Sequence, residues 1–357
     1  MSKAPTKSIG KAAAGAVRHA VGGSSTEWVR VRPYREGQAI PFVVSPAVDG
    51  LDLVPWARSN REYLDRLLGS HRALLFRGFH CDTAERFQAF VEATSRTGRL
   101  TYRDRTTPRT SKGDGIYTST IHPADQRINL HNEGTYWMQW AFKIYFCSVK
   151  AAATGGETPI ADVRHVHNRI DPALRARFEQ KGMMLVRNFN DGFGLPWQEV
   201  FQTDDAAEVE AYCRDNDIQF EWKDGGRLRT RQIRPAIRHH PVTGEAVWFN
   251  HAAFFHYTTL EPAVRDALLG EFGIEGLPYN TCYGDGSPIG DDEAAALREA
   301  YEAEKAMFPW EVGDIMLLDN MTVAHAREPY TGERETLAAM TEPVNGGGFL
   351  PHPPAGT

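Results

Sequence analysis

His131 and Glu133 stand two positions apart in the stretch RINLHNEGTYW, at the end of a segment with strand character. Side chains of a strand alternate between its faces, so positions i and i+2 share one. A glutamate on a buried face must be paired or must bind a cation. On a solvated face the same pair carries no chemistry. Far downstream, His325 closes GDIMLLDNMTVAH, a second strand that turns through polar Asp319 and Asn320. Nine residues later comes Arg334, beyond a turn containing Pro329 and Gly332. A guanidinium suits bidentate capture of a carboxylate. Two histidines and one carboxylate leave coordination positions open, which is the ligand set of non-haem Fe(II) oxygenases. The same three groups could serve a zinc-dependent hydrolase or a non-catalytic metal-binding barrel. Dependence on oxygen and substrate-triggered turnover separate these readings.

The chain has thirteen histidines, so a histidine alone carries little weight. His239 and His240 lie beside Pro241 in a predicted hairpin, and His165 and His167 have i, i+2 spacing with no carboxylate between them. Neither pair has the spacing of a complete metal site. Trp137, Trp140 and Phe142 follow the His-x-Glu stretch and are expected in the core. A net charge of −6 across 357 residues argues against nucleic acid as a partner. No apolar run is long enough to span a bilayer, so no membrane partner is expected. The four cysteines, Cys81, Cys147, Cys213 and Cys282, have no CxxC spacing, which fits a reducing, cytoplasmic compartment.

The elements that must position these groups are mostly strands. RALLFRGF (72–79), 127–133, KIYFCSVK (143–150), MMLVRNF (183–189), GDIMLLDN (313–320) and ETLAAMTE (335–342) read as strands. Residues 218–230 form a hairpin about DGG, and 236–250 form another about PVTGE. Helices are predicted over 82–94 with Asp82 as N-cap, over 171–182 with Pro172 at its first position, over 260–272 and over 291–307, with shorter ones near 197–202 and 205–214. The simplest architecture is a closed or sandwiched antiparallel sheet with helices outside it. Residues 1–26 have four cationic side chains and no acid, and read as a flexible arm. Residues 27–357 read as one domain, with lid insertions around 103–126 and 190–235.

The chain resembles the taurine dioxygenase-like family of Fe(II)/2-oxoglutarate dioxygenases. Within it, the chain is most similar to the branch related to clavaminate synthase and to amino-acid hydroxylases of nonribosomal-peptide assembly lines. LHNEGTYW (130–137), GGETPIAD (155–162), HPVTGEAVWFN (240–250), YGDGSPI (283–289) and GDIMLLDNMTVAHAREPYTGER (313–334) carry the resemblance. It implies a β-rich α+β fold with a double-stranded β-helix (jelly roll) core and flanking helices. It implies Fe(2+), 2-oxoglutarate and O2 as cofactor and cosubstrates, with His131, Glu133 and His325 as iron ligands. Arg334 would bind the distal carboxylate of 2-oxoglutarate, with Arg327 as the other arginine in reach of that role. Thr158 matches a position whose hydroxyl helps hold the cosubstrate, although a threonine before proline also serves plain turn chemistry. Halogenating relatives carry a small residue where this chain has Glu133, so oxygen insertion is expected. The substrate would be a small amino-acid-like molecule, free or bound as a carrier-protein thioester, in a natural-product pathway.

Overall fold

The computed structural model describes residues 25–97, 116–118, 122–189 and 194–346. Nearly all of the expected N-terminal arm lies outside the described residues. So does the first expected lid, 103–126, except at 116–118 and 122–126. The architecture is mixed α/β with several sheets.

A seven-stranded sheet runs in the order Val29–Pro33, Phe42–Pro46, Ala73–Phe76, Ile315–Asp319, Gln139–Lys150, Glu335–Asn345 and Ile116–Thr118. Its pairings are antiparallel except between Phe42–Pro46 and Ala73–Phe76, which run parallel. The central strand Gln139–Lys150 alternates between two apolar clusters, as a strand buried on both faces must. Trp140, Ile144 and Phe146 enter the larger core, while Tyr145 and Cys147 enter a second core under the helices Leu53–Ser59, Arg61–His71 and Ala84–Thr94. Each fully buried side chain of this kind contributes about 1.5–3 kcal/mol relative to exposure. The helix expected from residue 82 begins at Ala84, and Thr83 rather than Asp82 caps it, its hydroxyl accepting the Arg86 N–H at 3.2 Å.

A three-stranded antiparallel sheet places Val323–Arg327 between Ile128–His131 and Ile160–Asp162. A separate four-stranded sheet holds the DGG hairpin (Ile218–Lys223 with Arg227–Arg234), Met183–Phe189 and Tyr279–Tyr283. Gly225 and Gly226 have φ of +73° and +72°, which glycine adopts at no steric cost. With helices Trp197–Phe201 and Ala206–Asp215, part of this sheet has a small core of its own. The second predicted hairpin is present as Ile237–His239 paired with Ala246–Trp248. Helix Pro172–Lys181 has Asp171 as N-cap and Gly182 at its end. Among the described residues, no helix is long and apolar enough to cross a membrane.

Candidate metal centre and cosubstrate pocket

His131 is the last residue of its strand and lies directly opposite His325 in the antiparallel ladder. The two rings are 4.5 Å apart between centroids, tilted by 49°. Glu133 departs from the expectation for 127–133, because the strand stops at His131 and Glu133 belongs to the turn that follows. Strand alternation therefore does not aim its carboxylate. The buried side chain of Asn320 holds this turn instead. Its Oδ1 accepts the Glu133 N–H at 2.8 Å, while its Nδ2 donates to the carbonyls of Glu133 and Ala141, both at 2.9 Å. Asn132 Nδ2 returns a bond to the Asn320 carbonyl at 2.6 Å. At Gly134, φ is +69° and a Cβ would lie 2.2 Å from the Trp137 ring, so the turn needs glycine.

The outcome is that one ligand atom from each of His131, Glu133 and His325 lies within 4.8 Å of the others. His131 Nδ1 is 2.8 Å from the Asn129 carbonyl, which places the proton on Nδ1 and the basic lone pair on Nε2. Rings close the surroundings: Phe146 is 5.0 Å from His325 and Phe254 is 4.6 Å from His131. Two imidazoles and a carboxylate in a partly apolar pocket fit a divalent iron with open positions.

Arg334 follows a short strand pair, Tyr330–Thr331 with Thr154–Gly155. A Cβ on Gly155 would lie 2.1 Å from the Pro329 carbonyl oxygen, and one on Gly156 would lie 3.0 Å from Arg334 Cδ. The GG of GGETP thus lets the arginine-bearing loop close on this segment. Arg334 Nε donates to the Gly156 carbonyl at 3.0 Å. Burial, and then the charge of Arg327, push its guanidinium down to about 10. A carboxylate arriving there would relieve both effects. Thr158 is buried, and its Oγ1 accepts from Trp310 Nε1 at 3.0 Å, which leaves the hydroxyl proton available to an acceptor. Arg327 donates to the carbonyls of His122, Pro123 and Gln126 at 3.0, 2.6 and 2.7 Å. It ties down the segment that leads into the His131 strand.

Three further residues shape the site, and of these only His240 stands out in the sequence as a possible ligand, as half of a pair with His239. Asn320 is one. His251 is another: it is buried, contacts Thr135 Oγ1 through Nδ1, stacks on Phe255 at 4.9 Å and lies 5.8 Å from His131. Burial, then the nearby His131, hold its imidazole well below the ordinary 6.5. The third is His240, whose Nε2 meets Asp319 Oδ2 at 2.9 Å while Nδ1 accepts the amides of Val242 and Thr243. HPVTGE is thereby pinned to the turn that presents Asn320. His239, His165 and His167 lie outside the ligand cluster found among the described residues. Trp137 and Trp140 are buried as expected, whereas Phe142 is half-buried against His240.

The sequence profile of the family "Taurine catabolism dioxygenase TauD, TfdA family" matches residues 31–341. The dapdiamide synthesis protein DdaC of Enterobacter agglomerans is 42% identical over 281 residues, which cover 79% of this chain and 85% of that protein. A clavaminate synthase-like protein of Arabidopsis thaliana is 30% identical over 323 residues, which cover 85% of this chain and 94% of that protein. The structure of PvcB from Pseudomonas aeruginosa superposes with a TM-score of 0.53 at 14% identity, covering 88% of this chain and 92% of PvcB. A taurine dioxygenase from Burkholderia xenovorans gives 0.53 at 16% identity, with 89% and 91% covered. At such identities the structural matches speak to the fold.

Proposed function

The chain belongs to the taurine catabolism dioxygenase TauD, TfdA family, and we propose that, as an iron(II)- and 2-oxoglutarate-dependent dioxygenase, it hydroxylates an unactivated C–H bond of a small, amino-acid-like substrate in natural-product biosynthesis. In this reading His131, Glu133 and His325 hold the iron, and Arg334 and Thr158 hold 2-oxoglutarate. The mutual approach of the three ligand atoms within 4.8 Å carries it. Iron with bound 2-oxoglutarate supplies the activation of O2, coupled to decarboxylation of the keto acid to succinate. The protein orients and shields. Asn129 fixes the tautomer of His131, and Asn320 fixes the turn of Glu133. Arg334 meets the distal carboxylate in a site where burial makes a charge-assisted bond stronger than in water. Thr158 donates its hydroxyl proton to the cosubstrate. Phe146 and Phe254 keep water from the ligand set.

The substrate is free or carried as a thioester on a carrier protein. DdaC, the relative named for dapdiamide synthesis, supports placing it in biosynthesis. The seven- and three-stranded sheets form the two faces of a double-stranded β-helix, a reading supported by Phe146 of the larger sheet packing on His325 of the smaller. Residues 27–357 are one domain, and the hairpin sheet with its own small core supports an inserted lid within 190–235. Four free cysteines support a cytoplasmic setting. The zinc hydrolase and the non-catalytic barrel have no observation in their favour beyond the shared ligand set. Anaerobic addition of Fe(II) and 2-oxoglutarate should produce a weak visible charge-transfer band. Absence of that band, or undiminished succinate release by His131→Ala, would overturn the assignment.

A further inference from the structure

Cys81 and Cys147 have no CxxC spacing, yet the fold brings them together. They stand 66 positions apart and meet in the second core, with Cys81 1% exposed and Cys147 fully buried. The Cys147 thiol donates to the Cys81 carbonyl at 3.2 Å. It also hydrogen-bonds with the Cys81 thiol, and that contact is the first cause of a shift in both acidities. It holds Cys81 below its ordinary value, against burial and with help from the Arg86 guanidinium. The same contact, then burial, pushes Cys147 up. The pair is therefore asymmetric: Cys81 forms a thiolate more readily, and Cys147 keeps its proton. Cys282 differs, because burial and then the charges of Glu275 and Asp285 push its thiol up to about 11.

The backbones that carry the two sulfurs are packed tightly. Cys147 lies on the central strand Gln139–Lys150, opposite Ile315 on one neighbour and Leu337 on the other. A Cβ on Gly313 would lie 3.1 Å from the Cys81 nitrogen, and the Gly313 N–H donates to the Ser148 carbonyl at 2.8 Å. Cys81 belongs to the connection 77–83, two residues before the Thr83 cap of helix Ala84–Thr94. His80, Asp82 and Thr83 of that connection are exposed, so the Cys81 thiol lies directly beneath the surface. The pair faces away from the proposed iron ligands. Cys147 is on the face of its strand opposite Phe146, the ring that packs on His325.

An acidified thiol with a second thiol against it has the parts of a peroxide-reactive pair. We propose that Cys81 and Cys147 are a redox site that hydrogen peroxide closes to a disulfide, stapling the connection 77–83 to the central strand. Cys81 Sγ attacks one peroxide oxygen, the O–O bond breaks, and water leaves with the Cys81 proton, giving a sulfenic acid. Cys147 Sγ then attacks the Cys81 sulfur, the S–O bond breaks, and a second water leaves with the Cys147 proton. The two thiols lose two electrons, and one hydrogen peroxide is reduced to two waters. The site does not depend on the oxygenase reading.

The full-length reduced protein is treated with hydrogen peroxide in the presence of a metal chelator, quenched with catalase, unfolded in N-ethylmaleimide and mapped by mass spectrometry. A peptide linked through Cys81 and Cys147 should appear, Cys213 and Cys282 should be labelled, and dithiothreitol should restore all four thiols. The oxidised protein should melt about 3 °C or more above the reduced one, because the link closes a long loop of the unfolded chain. Cys147→Ser should stop at the sulfenic acid, trapped on Cys81 by dimedone, whereas Cys81→Ser should leave Cys147 reduced. Absence of the linked peptide from the wild type overturns the proposal, whatever the variants do. So does oxidation of Cys282 as fast as Cys81, or of Cys147 in Cys81→Ser. An oxidised protein that melts no higher than the reduced one overturns the staple.

Discussion

Around His131, Glu133 and His325, the backbone is secured by strand pairing and by the Asn320 amide, whereas around Arg334 the chain closes because Gly155 and Gly156 have no side chain in the way. The proposed iron end is built from strand pairing and from hydrogen bonds between two turns. The proposed carboxylate end is built from close backbone approach. The first tolerates loss of one supporting bond as a loosening of geometry. The second tolerates almost no added volume, because packed backbone cannot give way cheaply. The two ends should therefore fail separately and by different observables.

The largest effect is expected from removing a ligand. Glu133→Ala or His325→Ala should abolish succinate formation and the visible band, a loss well beyond the about 10–100-fold typical of a supporting residue. Retained turnover in either variant would undo the description of the iron end. Next comes Arg334→Met, which should raise the KM for 2-oxoglutarate about 100-fold by deleting one partner of a buried charge pair, with Fe(II) affinity little changed. Equal losses of iron and cosubstrate affinity would mean that the two ends are one unit. Asn320→Ala should do the reverse, weakening Fe(II) about 10–100-fold with a smaller effect on 2-oxoglutarate. Gly156→Ala introduces a Cβ 3.0 Å from Arg334 Cδ at a φ of +74°. It should cost about 1–3 kcal/mol of backbone strain and shift the 2-oxoglutarate KM several-fold, readable by denaturation together with steady-state kinetics.

The smallest effect concerns pH. The folded state holds the His251 pKa below 6.5, so the unfolded chain binds more protons there as pH falls. Its contribution to stability is present above about 6.5 and is lost on acidification below that value. Metal-free protein should lose stability between about pH 6.5 and 5, and His251→Phe should show a shallower slope whatever its baseline. Matching slopes would remove His251 from the account of the iron end.

Much of the scaffold was legible because its signals are local. Met183–Phe189, the DGG hairpin and the Asp171-capped helix follow from alternation, paired glycines and an N-cap followed by proline. The types and spacing of His131, Glu133 and His325 drew attention to three residues that the fold brings together. What was not legible depends on partners far away in sequence. Alternation was expected to aim Glu133, whereas a turn and Asn320 position it. His251 looked like any of thirteen histidines until packing brought its ring beside His131. Spacing argues against His240 as a metal ligand, and its two nitrogens are satisfied by Asp319 and by turn amides. The helix expected to start at Asp82 begins at Ala84, and Thr83 caps it.

His131 and His325 sit on opposing rungs of one antiparallel ladder, drawn from segments far apart in the chain. A slip of one residue along that ladder would rotate one imidazole to the opposite side of the sheet. If these residues hold iron as proposed, an ion would bind only where early and late segments have aligned in this register, and binding would in turn hold that alignment.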